Sequence, residues 1–256
     1  MPDPKLALAG LPELAGARIV RRLGAGQASE SWLLEISGDR LVLRRDTGMA
    51  GRLGLDREAE FELLRVLVGS GLAPEPVHFA PEHGVLVTRY LEGDPWSPAE
   101  LEAPERLEAL GHLLRRLHEQ PAAGKEFDPA RIARHYARQV EAPDSHDLVR
   151  SIEMLARQLY PEGLVRRICH HDPHCGNLIG TDPPRFIDWE YAAAGDPLMD
   201  LAVVSRYHRL RDWQDRLLLE AWSPNSPDPE LRERLREFGR LYDLLAALWE
   251  RVVAGG

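Results

Sequence analysis

Lysine and cysteine are nearly absent from this chain of 256 residues. Only Lys5 and Lys125 among the 32 basic residues are lysines, so any site that requires a lysine must use one of these two. The 2 cysteines, Cys169 and Cys175, lie close together in one segment, which argues against a disulfide framework and favours a reducing compartment. No apolar stretch reaches the roughly 18 residues of a membrane-spanning helix without a charge, so we expect no such helix.

An excess of positive charge is also missing. The 41 acidic and 32 basic residues give a formal net charge of -9, which argues against nucleic acid or an anionic membrane surface as the main partner. The segment up to Gly16 lacks the basic start and the unbroken apolar centre of a signal peptide. We therefore expect a cytoplasmic protein that binds neither nucleic acid nor membranes, and we infer no obligate protein partner.

The pattern of apolar residues changes near residue 91. Before it, one helix follows Asp56, and short apolar segments between glycine-bearing turns predict five strands at 18–20, 31–36, 40–44, 77–79 and 85–88. After it, helices dominate, with a capping box at Ser97 and N-caps at Asp128 and Asp228. Short strands are predicted at 164–169 and 185–187. These features predict an α+β fold, with a small antiparallel β lobe at 1–91 and a larger, mainly helical lobe at 92–256.

A glycine turn containing Gly24 and Gly26 separates the first two predicted strands. A dinucleotide fingerprint would require a helix after the turn, and the sequence there is typical of a strand. A Walker loop is excluded as well, because Gly124 and Lys125 are followed by Glu126. A strand, glycine turn and second strand cover the nucleotide phosphates in protein kinases, and a plain hairpin loop is the alternative.

The third predicted strand ends in Arg44, and the following helix carries several glutamates. A kinase small lobe needs a cation on this strand that reaches the phosphates, held by a carboxylate from the helix behind it. Alternation along the strand places Arg44 on the face opposite Leu43. Glu58 is the preferred carboxylate partner, and Glu62, one helical turn later, is the alternative. Solvated charges on a strand end and a helix face would give the same pattern.

The segment from His170 to Ile179 and the nearby Asp188 contain two aspartates and one asparagine at informative positions. Asp172 and Asn177 lie five residues apart, and Asp188 follows the next short strand. Phosphoryl transfer needs one carboxylate to orient and deprotonate the acceptor hydroxyl, and further oxygens to hold Mg²⁺ against the phosphates. Magnesium prefers hard oxygen ligands, which this set supplies.

A zinc site is the competing interpretation of the same segment. Its ligands would be three histidines and a cysteine: His170, His171, His174 and Cys175. Ligands so close in sequence rarely reach a tetrahedral arrangement without a distant second pair, and the other histidines form no matching cluster. His170 can instead brace the loop through hydrogen bonds. Asp200 is expected to anchor the same loop rather than to react.

These motifs resemble the aminoglycoside phosphotransferase and choline kinase superfamily, whose signature is His-x-Asp-x-x-x-x-Asn followed by Ile-Asp-(Trp/Tyr/Phe)-Glu. Within it, the segments 170–178 and 187–192, together with 117–121, resemble bacterial thiamine kinases most closely. The resemblance implies a bilobal protein-kinase-like fold that uses ATP and Mg²⁺. It further implies that the catalytic base is Asp172, that Mg²⁺ binds to Asn177 and Asp188, that the phosphates are held by Arg44 with Glu58, and that adenine faces the backbone from Val87 to Tyr90.

The acceptor substrate must be inferred from charge and aromatic residues. The stretch 162–200 holds seven acidic residues against three arginines, which favours a cationic alcohol. Trp189, Glu190 and Tyr191 adjoin Asp188, and aromatic faces with a carboxylate suit a thiazolium or quaternary ammonium group. The sequence therefore predicts a kinase for thiamine first, and for choline or ethanolamine second.

Three alternatives to these assignments stay open. An aminoglycoside or amino-sugar phosphotransferase would also act on cationic hydroxyl compounds. A nucleotide-binding pseudokinase would regulate a partner without turnover. For Tyr242 and Trp249, which lie seven residues apart on the last predicted helix, core packing is favoured over substrate contact.

Overall fold

The computed structural model describes residues 8, 11–140, 144–223, 225 and 229–255. Lys5 and the predicted N-cap Asp228 lie outside the described residues. The chain divides into a first unit, Met1–Leu91, and a second unit, Glu92–Gly255. Each unit is described by itself below.

The first unit contains an antiparallel sheet of five strands in the order β1-β2-β3-β5-β4. Its strands are β1 (Arg18–Ala25), β2 (Ser29–Ile36), β3 (Asp39–Asp46), β4 (Pro76–Ala80) and β5 (Val85–Arg89). Ser37 and Gly38 form the turn between β2 and β3, both with positive φ (51° and 89°), as in the two-residue turns that match strand twist. All five predicted strands are present, and each extends beyond its predicted bounds.

Two helices follow β3, of which the sequence predicted the longer one. They are α1 (Met49–Arg52) and α2 (Arg57–Val66). The side chain of Asp56 caps α2 by accepting a hydrogen bond from the Ala59 amide at 3.0 Å. The apolar face of α2 is buried at Leu63 and Leu64, and the apolar alternation of the strands buries Leu41 and Leu43 in a separate core. Arg44 therefore faces away from that core, as predicted.

The second unit is mainly helical. Its helices are α3 (Pro104–His118), α4 (Pro129–Gln139), α5 (Ser145–Leu159), α6 (Leu198–His208), α7 (Asp212–Trp222) and α8 (Pro229–Ala254). The capping box at Ser97 begins a short 3₁₀ helix, Pro98–Glu102, rather than α3, which starts at Pro104. Asp128 caps α4 as predicted, accepting a hydrogen bond from the Arg131 amide at 2.9 Å. Across the described ranges, no helix combines the length and apolar character needed to cross a membrane.

Helices α3 and α7 approach each other closely at Gly111. A Cβ atom at this position would lie 2.6 Å from the Cβ of Ala221 and 2.9 Å from the carbonyl oxygen of Leu218. Only glycine therefore fits at this contact, since real Cβ atoms do not approach so closely.

Two short antiparallel ribbons interrupt the helices and carry the polar motif. They pair β6 (Arg167–Cys169) with β9 (Ala193–Gly195), and β7 (Leu178–Ile179) with β8 (Arg185–Phe186). Asp172 follows β6, Asn177 immediately precedes β7, and Asp188 follows β8. The ribbons therefore bring together three residues that the sequence singled out.

Candidate active site

The loop after β6 is fastened to α6 by the buried carboxylate of Asp200. One of its oxygens accepts hydrogen bonds from the His170 amide (2.8 Å) and from Nε2 of His118 (3.0 Å), and the other accepts from the His171 amide (2.7 Å). Nε1 of Trp222 donates to Nδ1 of His118 at 2.8 Å, so the His118 proton resides on Nε2. The predicted anchoring role of Asp200 is confirmed.

His170 joins the loop after β6 to the segment after β8. Its Nδ1 accepts from the Asp172 amide at 3.3 Å, so its Nε2 carries the proton and donates to the Ile187 carbonyl at 2.9 Å. The predicted bracing role of His170 is confirmed. Because Ile187 precedes Asp188, this hydrogen bond holds the segment that carries Asp172 next to the segment that carries Asp188.

Asn177 and Asp172 are hydrogen-bonded to each other. The Asn177 Nδ2 group donates to the carbonyl oxygen of Asp172 and to its Oδ2, both at 3.0 Å. Burial, followed by the negative charges of Asp188 and Glu190, raises the pKa of Asp172 well above its usual value. Three carboxylates therefore share one neighbourhood, and the Asn177 amide oxygen points away from the donated bonds.

This group of oxygens fits Mg²⁺ by its chemistry. Asn177 and Asp188 offer an amide oxygen and a carboxylate, which are hard ligands of the kind magnesium prefers. The crowding of Asp172, Asp188 and Glu190 is repulsive, and a divalent cation would offset it. We therefore regard Asn177 and Asp188 as the residues that would hold Mg²⁺.

Two tyrosines lie near these carboxylates. Tyr136 on α4 is buried, and its pKa is raised by burial and then by the negative charges of Glu190 and Asp172. The pKa of Tyr191 is also raised, first by burial and then by the neighbouring Tyr136 hydroxyl and the charge of Glu190. Nε1 of Trp249 on α8 donates to the Tyr191 hydroxyl at 2.9 Å and fixes it. Both tyrosines are therefore neutral hydroxyl-bearing rings close to acidic groups.

An open groove of about 1310 Å³ runs along α6, α7 and α8. Tyr207 and Tyr242 line it, and the charge of Asp172 contributes, after burial, to raising the pKa of both. Asp172, Asn177 and Asp188 are not among the residues that line this groove.

In the first unit, Arg44 belongs to a chain of alternating charges between β3 and α2. Glu60 is buried and contacts both Arg44 and Arg57, the latter at 2.9 Å. Arg57 also contacts the carboxylate of Asp46 at 2.7 Å. Burial opposes ionisation of Glu60, but the two guanidinium groups hold its pKa below the usual value. The strand cation is therefore held in place from the helix, as a phosphate ligand would need to be.

Comparison with known proteins assigns the family. The model of the phosphotransferase enzyme family matches residues 19–238. The chain belongs to the phosphotransferase enzyme family. Thiamine kinase from Escherichia coli O81 (strain ED1a) is 29% identical over 191 residues, which cover 72% of this chain and 65% of that protein. The chain thus spans just under two thirds of the length of this curated relative.

Solved structures agree with this family. A choline/ethanolamine kinase family protein from Mesorhizobium loti has 28% identity and a TM-score of 0.77, covering 96% of this chain and 83% of that one. Choline kinase LicA from Streptococcus pneumoniae shares the fold at 21% identity and a TM-score of 0.80, covering 97% and 90%. The predicted superfamily, its closeness to thiamine kinases and the α+β, protein-kinase-like fold are confirmed.

The predicted partner of Arg44 in this phosphotransferase is wrong. Glu58 and Glu62 are exposed, and Glu62 pairs with Arg65, whereas Glu60 is the carboxylate that contacts Arg44. The reason is helical phase: Glu60 lies three and four residues before the buried Leu63 and Leu64, so it shares their face. Positions 58 and 62 lie on the other side of the helix.

The structure bears differently on two predictions, namely the phosphate contacts of the glycine turn and the adenine contacts of the backbone from Val87 to Tyr90. Gly24 lies within β1, where it pairs with Ser31, and Gly26 follows the end of β1, where its amide donates to the Ser29 carbonyl at 2.9 Å. Both glycines are exposed, and their contact with phosphates stays a prediction. Val87 lies inside the sheet, paired with Leu43 of β3 and His78 of β4, which argues against its predicted contact with adenine. Tyr90 follows β5, and its amide donates to the Arg40 carbonyl at 3.0 Å.

Trp189 is buried, which argues against its predicted contact with substrate. Its side chain is 1% exposed, its Nε1 donates to the Phe186 carbonyl at 3.2 Å, and its ring packs 4.7 Å from that of His170. Trp189 is therefore part of the support beneath the loop. Glu190 and Tyr191, in contrast, are partly exposed.

The zinc interpretation also fails. Both ring nitrogens of His170 are engaged, and Nδ1 of His174 accepts from the Gly176 amide at 3.0 Å. Among the residues that the structure describes, the one close group of three candidate ligands is His118, Cys169 and Asp200, all buried. The nitrogens of His118 are already used by Trp222 and Asp200, so this group is structural.

Proposed function

We propose that the protein is a kinase that transfers the γ-phosphoryl group of ATP to the hydroxyl of a small cationic alcohol, with thiamine the first candidate and choline or ethanolamine the second. One observation carries the proposal: Asp172 is hydrogen-bonded to Asn177 and tied through His170 to the segment of Asp188. The similarity to thiamine kinase and to a choline/ethanolamine kinase family protein supports it. The cytoplasmic location stays a prediction.

The residues of the second unit supply acid–base chemistry and orientation. Asp172 accepts the proton of the acceptor hydroxyl as the oxygen of that hydroxyl forms a bond to phosphorus and the bond to the ADP oxygen breaks. Asn177 fixes the carboxylate by donating to its Oδ2. When Mg²⁺ is bound, held by Asn177 and Asp188, it offsets the charge of the phosphates.

The residues of the first unit would bind the nucleotide. Arg44 is a permanently charged, forked ligand for phosphate oxygens, and Glu60 sets its direction from α2. The turn at Gly24 and Gly26 would cover the phosphates, and the chain at Tyr90 would lie next to adenine. No lysine is required in this arrangement.

The acceptor class follows from Tyr136, Tyr191 and Glu190. Two tyrosine rings with a carboxylate nearby attract a cation through ring faces and charge together. Thiamine carries a positively charged flat ring, and choline and ethanolamine carry an ammonium group. A neutral or anionic alcohol would gain nothing from the acidic surroundings of Asp172.

The test is turnover by purified protein with ATP and Mg²⁺ on thiamine, choline, ethanolamine, amino sugars and aminoglycosides. We expect turnover with one of the first three and a loss of about 10²–10⁴-fold in Asp172→Asn, the size of a general-base contribution. Asp182→Asn, at an exposed position between β7 and β8, is the matched control and should retain activity.

Two other results would replace the proposal. Preference for amino sugars or aminoglycosides would change the acceptor class. Magnesium-dependent nucleotide binding without turnover on any alcohol would identify a pseudokinase and contradict the enzyme assignment.

A further inference from the structure

His174 lies between Asp172 and Asn177, and the chemistry proposed above does not use it. Its side chain is 22% exposed, and its Nε2 lies 3.6 Å from Oδ2 of Asp172. It therefore directly neighbours the proposed base.

The hydrogen bonds of the ring decide which nitrogen carries the proton. The Gly176 amide donates to Nδ1 of His174 at 3.0 Å, so Nδ1 is the acceptor. A neutral imidazole has one acceptor and one donor nitrogen, so Nε2 carries the hydrogen. The N–H group that faces Asp172 is therefore a donor.

Two donors face the same oxygen of Asp172. Asn177 Nδ2 lies 3.0 Å from Oδ2, and His174 Nε2 lies 3.6 Å from it. The second distance is longer than a direct hydrogen bond, and such contacts commonly shorten when a substrate complex forms. With Oδ2 engaged on two sides, Oδ1 is the oxygen left to meet a hydroxyl.

Two neighbours restrict the His174 ring. It stacks on Tyr207 with ring centroids 4.7 Å apart and an interplanar angle of 11°. A Cβ atom at Gly176 would lie only 2.9 Å from Cε1 of His174, so a larger residue at 176 would displace the ring.

We propose that His174 is a positioning residue that, together with Asn177, engages Oδ2 of Asp172 and so directs Oδ1 to the acceptor hydroxyl. The proposal deepens the proposed function and rests on it. Nothing in it requires His174 to touch the substrate or to change its own protonation.

Two substitutions separate this role from capping of the loop. His174→Asn keeps an acceptor near the position of Nδ1 and removes the donor that faces Asp172. His174→Gln keeps a donor near the position of Nε2 and loses the acceptor for Gly176. We expect kcat to fall about 10- to 100-fold in His174→Asn, as for a misplaced catalytic group, with both KM values within about twofold. We expect His174→Gln to retain most of kcat.

An active His174→Asn variant with an inactive His174→Gln variant would assign His174 a loop-capping role and overturn the proposal. Wild-type kcat in both variants would also overturn it. If neither variant folds, Gly176→Ala displaces the ring without removing it, and an unchanged kcat there would also refute the proposal.

Crystal structures of the wild type and His174→Asn give a readout that does not depend on turnover. We expect the Asp172 carboxylate to rotate or to adopt two orientations in the variant. An unchanged carboxylate would overturn the role of His174 whatever the activity. Absence of wild-type turnover on every alcohol, in contrast, would refute the proposed function and leave the crystallographic comparison to decide the role of His174.

Discussion

Replacing Glu60 by glutamine tests whether this residue, rather than Glu58, holds Arg44. Glu60 is 2% exposed and compensates the charges of Arg44 and Arg57, whose side chains are 11% exposed. Glutamine has nearly the same shape but no charge, so the variant leaves two guanidinium groups in a buried setting with an incomplete partner. Glu58→Gln, at an exposed position of the same helix, is the matched control.

The magnitude follows from the burial of the group. Removing one partner of a buried ion pair costs about 3–5 kcal/mol, because the remaining charge is left uncompensated. For a urea slope of about 1–3 kcal/mol/M, the midpoint should fall by roughly 1–5 M. Glu58→Gln should change stability by less than about 0.5 kcal/mol, as is usual for a surface substitution.

The assay is urea unfolding of both variants with parallel measurement of KM for ATP. We expect Glu60→Gln to lower the midpoint and to raise KM for ATP, and Glu58→Gln to do neither. Equal midpoints for Glu60→Gln and the wild type would refute the role of the ion pairs. A loss confined to Glu58→Gln would restore the sequence prediction.

The contribution of Glu60 to the stability of the protein should depend on pH in a definite direction. The pKa of Glu60 is lowered in the folded protein from an ordinary value of 4.5, so its contribution to stability is complete above that value. It is lost as the pH falls below 4.5 through the folded pKa. The difference in stability between the wild type and Glu60→Gln should therefore shrink in acid.

Three further substitutions test the helical contacts and the loop. Gly111→Ala should destabilise the protein by about 1–3 kcal/mol through overpacking against α7. Gly51→Ala is the control, because a Cβ atom at position 51 meets open space, and it should not destabilise the protein. Thermal melting of the two variants measures both effects. Asp200→Asn places an amide where N–H groups donate, and should lower the melting temperature and turnover together; full turnover at normal stability would contradict the anchor. Trp249→Phe removes the donor to Tyr191 and should raise KM for the acceptor about 2- to 10-fold, with KM for ATP unchanged; an altered KM for ATP alone would show that the contact serves another purpose.

The parts of the site that lie close together in the chain could be predicted from the sequence. Asp172 and Asn177 occupy one loop, and Asp188 ends the next strand, so their spacing was sufficient. His170 and Asp200 were also correctly interpreted as supports. For Asp172 and Asn177, one short segment contains both residues and the reason for their position.

The parts that depend on packing could not be predicted in the same way. Predicting Glu60 as the partner of Arg44 would have required asking which glutamate shares the helix face of the buried Leu63 and Leu64. The position of Val87 inside the sheet depends on the order of the strands, which the sequence of β5 alone does not indicate. Tyr136 lies on a helix distant in sequence from the polar motif, and no local pattern marks it.

Asp172 and Tyr136 are positioned by different parts of the second unit. Asp172 belongs to a loop held by Asp200 on α6, whereas Tyr136 extends from α4. Helix α8 packs against α6, and its Arg234 contacts Asp196 at 2.7 Å, so substitutions on α8 reach the support of the loop. Helix α4 packs mainly against α5 and α8, so an engineer who wishes to change acceptor choice without disturbing the loop should exchange residues on α4 first.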